Sequence, residues 1–399
     1  MKRRLLPILM TLVLVCALPI WAAFVTSGDV TNPLVSTAWA TLPDLQAKID
    51  AAADNATITL DSNTEIAATL QITKNLTLDL NGCTLRMTGT GSVLKVSDRA
   101  TLTITDSRPQ NPHTGSYAGL PAGGVITGGK ADKGGGILLA GGCTLKLTGG
   151  CITDCHATDT GGGGVVLNGD TAILYMSGTA RIENCTAGET WGANAIFNSG
   201  TMYADGGTVD GTVNNQGTIK HSNGVTAVTV FKKAVYNQQA GTIEAGRYNE
   251  TVENRGTITG GIFYGGVTND GGKINDGAYE TVTFNSDGGT PVEEAKVLRG
   301  QKVAKPTDDP TKSGYTFTGW EDANGAGAYD FNTPVIAPLT LTAKWEKNPS
   351  SGGYYYYPTP DTKADDVKGS PKTADPGAAL YGALALLSLT GLTCTAKKR

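Results

Sequence analysis

The sequence predicts an all-β chain built chiefly as a solenoid, and three observations carry that reading. A short phrase returns from Val213 onward: Val213-Asn-Asn215 with Gly217-Thr-Ile219, Val235-Tyr-Asn237 with Gly241-Thr-Ile243, and Val252-Glu-Asn254 with Gly256-Thr-Ile258. Thr, Val and Ile dominate between the turns, the composition of strands. The 54 glycines follow no three-residue period, which excludes collagen and implies frequent tight turns. A copy this short cannot bury its apolar side alone, so neighbouring copies must stack.

The elements follow in chain order. Lys2-Arg3-Arg4 ahead of the apolar run Leu5 to Val25 has the pattern of a secretory signal peptide, assigned to residues 1–40. Small residues suited to cleavage stand at Ala38-Trp39-Ala40 and, earlier, at Ala22-Ala23. Residues 42–53 place Leu42, Leu45, Ile49 and Ala53 on one helical face. A short amphipathic helix there would cap the first rung of the solenoid, which is expected over residues 41–277.

Alternating apolar positions then mark short strands: Ile58/Leu60, Leu70/Ile72, Leu76/Leu78/Leu80, Leu85/Met87 and Leu102/Ile104. Two longer copies lie between Gly134 and Ala187. Gly136 to Leu139 aligns with Gly164 to Leu167, Cys143 to Gly149 with Thr171 to Gly178, and Ile152 to Cys155 with Ile182 to Cys185. Three strand-like pieces per copy predict a three-sided coil. Ile196-Phe-Asn198 and Val166-Leu-Asn168 fit the same template as the later phrases, and Val267-Thr-Asn269 is a degraded copy.

The stretch Ile72 to Leu85, reading Ile-Thr-Lys-Asn-Leu-Thr-Leu-Asp-Leu-Asn-Gly-Cys-Thr-Leu and followed by Gly-Gly-rich coils, resembles the right-handed parallel β-helix of pectate-lyase-like surface proteins. The likeness covers roughly residues 55–275. It implies architecture and says almost nothing of activity, because adhesins, hydrolases and lyases share this solenoid.

From Tyr279 the rhythm changes. Thr281 to Gly289, Gly314-Tyr-Thr-Phe-Thr-Gly-Trp320, Tyr329-Asp-Phe331 and Leu339 to Trp345 form an aromatic-punctuated unit. It resembles the Listeria–Bacteroides, internalin-type repeat of bacterial surface proteins, which implies a small β-grasp-like module over residues 278–347. Phe317, Trp320, Phe331 and Trp345 are its expected core. Residues 348–369, with four consecutive tyrosines (Tyr354 to Tyr357) among Pro, Ser and Gly, read as an extended linker.

Residues 370–399 place Ser370-Pro371-Lys372-Thr373-Ala374 before an apolar run to Ala396 and a basic end, Lys397-Lys398-Arg399. The apolar run is long enough for a transmembrane helix, with positive charge holding the tail on the cytoplasmic side. The order pentapeptide, apolar run, basic tail resembles a Gram-positive sortase sorting signal. That likeness implies cleavage between Thr373 and Ala374, with sortase and peptidoglycan as partners. Ser370 and Ala374 replace the usual Leu and Gly, which leaves open which sortase reads the motif. A plain membrane anchor is the alternative.

The chemistry expected of the solenoid is modest. Glycan hydrolases need two carboxylates flanking the scissile bond, and lyases of this fold need carboxylates around a hard cation. Only Asp154, Asp159 and Glu183 come near such a grouping, and they read as solvated turn residues. His156 beside Cys155, with Cys143 and Cys151, lacks the paired two-to-four-residue spacing of a zinc site. No catalytic residue, metal or cofactor is therefore assigned. Cys83 and Cys143 read as core residues, and Cys155 and Cys185 fall at equivalent places on neighbouring copies, a candidate disulfide.

Asn198, Asn215, Asn237, Asn254 and Asn269 are expected to form a ladder, amide on amide, at left-handed turn positions. Residues before each Asn then point outward, so Phe197, Tyr236 and Glu253, with Tyr248 and Tyr264 nearby, make a candidate ligand-contact stripe. A net charge of −4 makes nucleic acid a poor partner. The expected protein is a wall-anchored, non-catalytic adhesin displaying a face for a host or dietary glycan or a protein. A surface polysaccharide lyase or glycoside hydrolase and a ligand-free stalk are the alternatives.

Overall fold

The computed structural model describes residues 42–159, 161–188, 193–323, 325 and 327–349, with side chains from Leu45 onward. The signal segment, the linker beyond Pro349 and the sorting motif with its apolar run lie outside them. Described residues up to Lys347 belong to one compact unit.

Its larger part is a solenoid-like coil of parallel strands. Each rung contributes one strand to each of three columns. The first holds Ala56–Thr59, Leu76–Asp79, Thr101–Thr105 and Thr144–Leu147; the second holds Thr64–Ile66, Thr84–Met87, Val125–Thr127 and Cys151–Thr153. The strands Ile173–Glu183 and Thr201–Asp210 run through both columns and join them into one 17-stranded sheet. The third column is a separate nine-stranded sheet from Leu70–Ile72 to Val267–Asn269. A short extra stack, Lys130–Ala131, His156–Ala157 and Thr186–Ala187, stands beside the middle rungs.

Strict register makes the core. Leu76, Leu102, Leu145, Leu174, Met202, Ile219, Ile243 and Ile258 follow one another up the first column, all buried. In the second, Phe231, Tyr248 and Phe263 stack at 4.9 and 5.1 Å between ring centres, nearly parallel. In the third, Ile72, Val96, Leu139 and Leu167 lead into Asn198, Asn215, Asn237, Asn254 and Asn269 at the same register position. The interior therefore changes from aliphatic to amide at Asn198. Asn168 is one residue out of phase: it pairs with Ala140 and is exposed, while Leu167 occupies the position that Asn198 takes one rung later.

Both ends of the coil are covered. The helix Leu42–Ala51 lays Leu45 and Ile49 on the first rungs, and it ends before Ala53, which is exposed rather than part of that face. Gln46 treats the edge strand as a further strand would: its Oε1 accepts from Gln71 N at 2.9 Å and its Nε2 donates to Gln71 O at 3.2 Å. Lys74 closes the helix by donating to the carbonyls of Asp50 and Ala52.

At the far end a small mixed sheet takes over, with Tyr279–Asn285 flanked by Ala295–Leu298 and by Leu339–Lys347, and Tyr315–Asp322 on the outside. It meets the last rungs through backbone and side chain alike. Phe263 N donates to Arg299 O at 2.8 Å, and Gln301 Nε2 donates to Phe263 O. Trp320 is the buried centre of the module, with Val282, Phe284 and Leu341 around it; Phe317, Phe331 and Trp345 pack against that core half-buried.

Candidate functional site

The asparagines come together, and both protons of the first four amides have acceptors. Nδ2 of Asn198, Asn215, Asn237 and Asn254 donates to Oδ1 of the next Asn at 2.7, 2.8, 2.7 and 2.7 Å. The same nitrogens also donate to the carbonyls of Thr218, Thr242, Thr257 and Lys273 on the following rung at 3.2–3.4 Å. Buried amides so satisfied avoid the penalty of an unmade bond.

This geometry explains the whole repeated phrase. Val packs inward, Asn ends the strand with its amide inside, and Gly follows where neighbouring rungs come close. A Cβ on Gly241 would lie 2.3 Å from Asn237 Oδ1, and one on Gly256 would lie 2.2 Å from Gly241 O. The ladder asparagines lie in strands and have no positive φ; the left-handed corners are elsewhere, at Asp154 and Asn184 among others. The expected turn geometry was thus assigned to the wrong residues, because an interior amide needs an extended backbone to reach the next rung.

The outer stripe is assembled only in part. Phe197, Asn214, Tyr236, Glu253 and Thr268 stand in register on successive rungs of the third column. Phe197, Tyr236 and Glu253 are half-buried, and Asn214 is buried. Tyr248 does not belong to the stripe. In the two-residue strand Arg247–Tyr248 the arginine faces out and the tyrosine in, where its hydroxyl donates to Ala245 O at 2.7 Å and burial pushes its pKa well up. Tyr264 sits at a corner after the second column, under the Arg247 guanidinium at 4.7 Å.

A different outward aromatic pair stands on the first column. Tyr175 and Tyr203 stack at 4.3 Å on neighbouring rungs, with Lys220 over Tyr203 at 5.1 Å. Their place between inward residues, Leu174-Tyr175-Met176 and Met202-Tyr203-Ala204, was the available signal. The two rings share one face each, and Lys220 lies over the Tyr203 ring, so the pair forms a ladder between rungs.

The carboxylates do not form a reaction centre. Asp154 is exposed at its corner, Glu183 lies beside the buried thiol of Cys151, and Asp159 lines a separate cleft. Asp106 is fully employed by the backbone, accepting from Gly82 N and Gly124 N at 2.7 Å and from Arg108 N at 3.2 Å. Among the described residues no group of three or more His, Cys, Asp or Glu side chains is placed to hold a metal ion. Cys143, Cys151, Cys155 and Cys185 are buried free thiols, and Cys83 is half-buried. Cys155 and Cys185 precede the paired residues His156 and Thr186; a hydrogen bond between these two thiols, then burial, drives the Cys185 pKa upward.

The described residues are thus a solenoid-like stack of long parallel sheets continued by a small mixed sheet. That sheet has relatives: residues 281–344 match the Listeria–Bacteroides repeat domain. A "Putative Gly-rich membrane protein" of Evansella cellulosilytica is 40% identical over 70 residues, 17% of this chain and 8% of that protein. A "Putative membrane protein" of the same organism is 39% identical over 70 residues, 17% of this chain and 10% of the relative. The matched stretch spans a tenth or less of these relatives. No solved structure matches the chain. A surface repeat domain and distant kinship to proteins described as membrane proteins both point to the cell surface.

Proposed function

We propose that this is a wall-anchored, non-catalytic surface protein whose right-handed β-helix displays a ligand-binding outer face. The observation that carries the reading is the junction of solenoid and module. Phe263, Arg299 and Gln301 tie the last rungs to the Listeria–Bacteroides repeat by backbone and side-chain bonds, so a covered coil continues into a surface-protein module. The terminal segments support it by their order, with a basic-apolar leader first and Ser370 to Ala374, an apolar run and basic residues last. Sortase and peptidoglycan are the partners this order implies, and a glycan or protein is the ligand.

The test is fractionation of a Gram-positive host expressing the full chain. The reading expects release from the wall by muralytic enzymes, and secretion to the medium once residues 370–399 are deleted. Recovery of the intact chain in the membrane fraction alone would replace wall attachment by a simple membrane anchor.

A further inference from the structure

Near the N-terminal end of the solenoid, surface charge runs against the sign of the whole chain. The protein carries −4, yet Lys95, Lys130 and Lys133 converge on one open cleft of about 680 Å³, a size typical of ligand sites. The cleft floor is the outer face of three successive rungs in the third column. Gln71, Lys95 and Leu138 stand on it in register, and strand spacing makes their span roughly 10 Å along the coil axis.

One wall is held rigidly by main chain. Gly91 and Lys130 exchange both backbone hydrogen bonds, at 2.6 and 3.0 Å, and Gly134 N donates to Gly162 O at 3.0 Å. This pins the segment that carries Lys130 and Lys133 beside the floor. All three lysines are exposed. Some other surface lysines have carboxylate partners, among them Lys232 with Asp210, Lys233 with Glu250 and Lys344 with Glu321. Among the described residues Lys95, Lys130 and Lys133 make no ion pair, although Asp132 and Asp159 also line the cleft. Asp132 is engaged instead by the Thr158 hydroxyl at 3.0 Å.

We infer that this cleft binds an extended anionic saccharide. Unpaired ammonium groups at separate points along a groove suit carboxylates or sulfates spaced along a polymer. The exposed Gln71 amide offers a partner for sugar hydroxyls, and half-buried Leu138 offers apolar surface to a ring face. Nucleic acid is a worse match, because the cleft lining has no aromatic side chain on which bases could stack.

The inference deepens the display reading by naming its ligand class. Its test uses the purified full chain, so a failure of wall attachment leaves it untouched. The chain is immobilised and exposed to heparin, hyaluronan and dextran, which separate sulfate, carboxylate and neutral polymers. Binding of heparin, hyaluronan or both is expected, weakened by about 0.5 M NaCl. Combined Lys95→Gln, Lys130→Gln and Lys133→Gln should lower affinity about tenfold or more with an unchanged melting temperature. Lys146→Gln with Lys220→Gln, which removes two charges elsewhere, should leave affinity within about twofold. Dextran binding as well as the polyanions, no polyanion binding, or equal affinity in the triple variant would overturn the assignment.

Discussion

Asn237 Oδ1 accepts a hydrogen bond from Asn215 Nδ2 at 2.8 Å, and neither side chain reaches solvent. Asn237 Nδ2 in turn donates to Asn254 Oδ1 at 2.7 Å, so each residue is both partner and link. Removing one link strands its neighbours. Asn237→Ala leaves Asn215 short of an acceptor and Asn254 Oδ1 without its donor, and should cost about 2–4 kcal/mol. Asn269→Ala, at the exposed end, should cost less than about 1 kcal/mol. Chemical denaturation of the two variants measures the contrast, and equal losses would mean the amides carry no special share of the stability.

Tyr248, sandwiched between Phe231 and Phe263, is the matching case in aromatic form. Tyr248→Ala should cost about 3–5 kcal/mol through the cavity it opens. Tyr248→Phe keeps the ring and loses only the bond to Ala245 O, about 1 kcal/mol. Denaturation midpoints decide the ranking, and a mild Tyr248→Ala would contradict its interior position.

The contrast between these residues shows what the chain discloses on paper. The Val-x-Asn…Gly-Thr-Ile phrase was legible because one corner demands three residue types at once: an inward β-branched side chain, an amide reaching the next rung, and a glycine where backbones nearly touch. Asn168 was misread by one position, since a copy in which Leu167 fills the inner place still contains an Asn. Tyr248 was misplaced because a two-residue strand shows no alternation. The cleft was invisible for a different reason. Gln71, Lys95, Lys130 and Leu138 come from separate segments, and rungs of unequal length conceal which residues share a face.

Alkaline pH should weaken the fold. Burial raises the thiol pKa of Cys151 and the phenol pKa of Tyr248, and the hydrogen bond to Cys155 followed by burial raises that of Cys185. The ordinary values, 9.0 for cysteine and 10.0 for tyrosine, stand for the unfolded chain. Above them the unfolded chain releases protons that the folded one retains, so stability is whole below about pH 9 and falls as pH rises further. Melting temperatures across the alkaline range test this, and a flat profile through the cysteine and tyrosine range would contradict it.

The junction with the module rests in part on a charge pair. Arg299 Nε donates to Glu280 Oε1 at 2.5 Å, and Glu280 is buried while Arg299 is about a third exposed. Glu280→Ala should lower the unfolding free energy by about 1–2 kcal/mol, less than a fully buried pair because water screens the arginine. A thermal melt indistinguishable from the parent would show that the pair adds nothing to the backbone and Gln301 bonds at the junction.

Stacking of rungs is open to a direct chemical ruler on the outer face. Tyr236 and Glu253 are register partners on adjacent rungs, whereas Thr268 lies one rung further on. Adjacent rungs lie about 4.8 Å apart and alternate ones about 9.6 Å, on either side of the roughly 7 Å limit for a disulfide. Mild oxidation followed by mass spectrometry should find a bridge in the Tyr236→Cys, Glu253→Cys variant and none in the Tyr236→Cys, Thr268→Cys variant. A bridge in the second variant, or in neither, would contradict the coil.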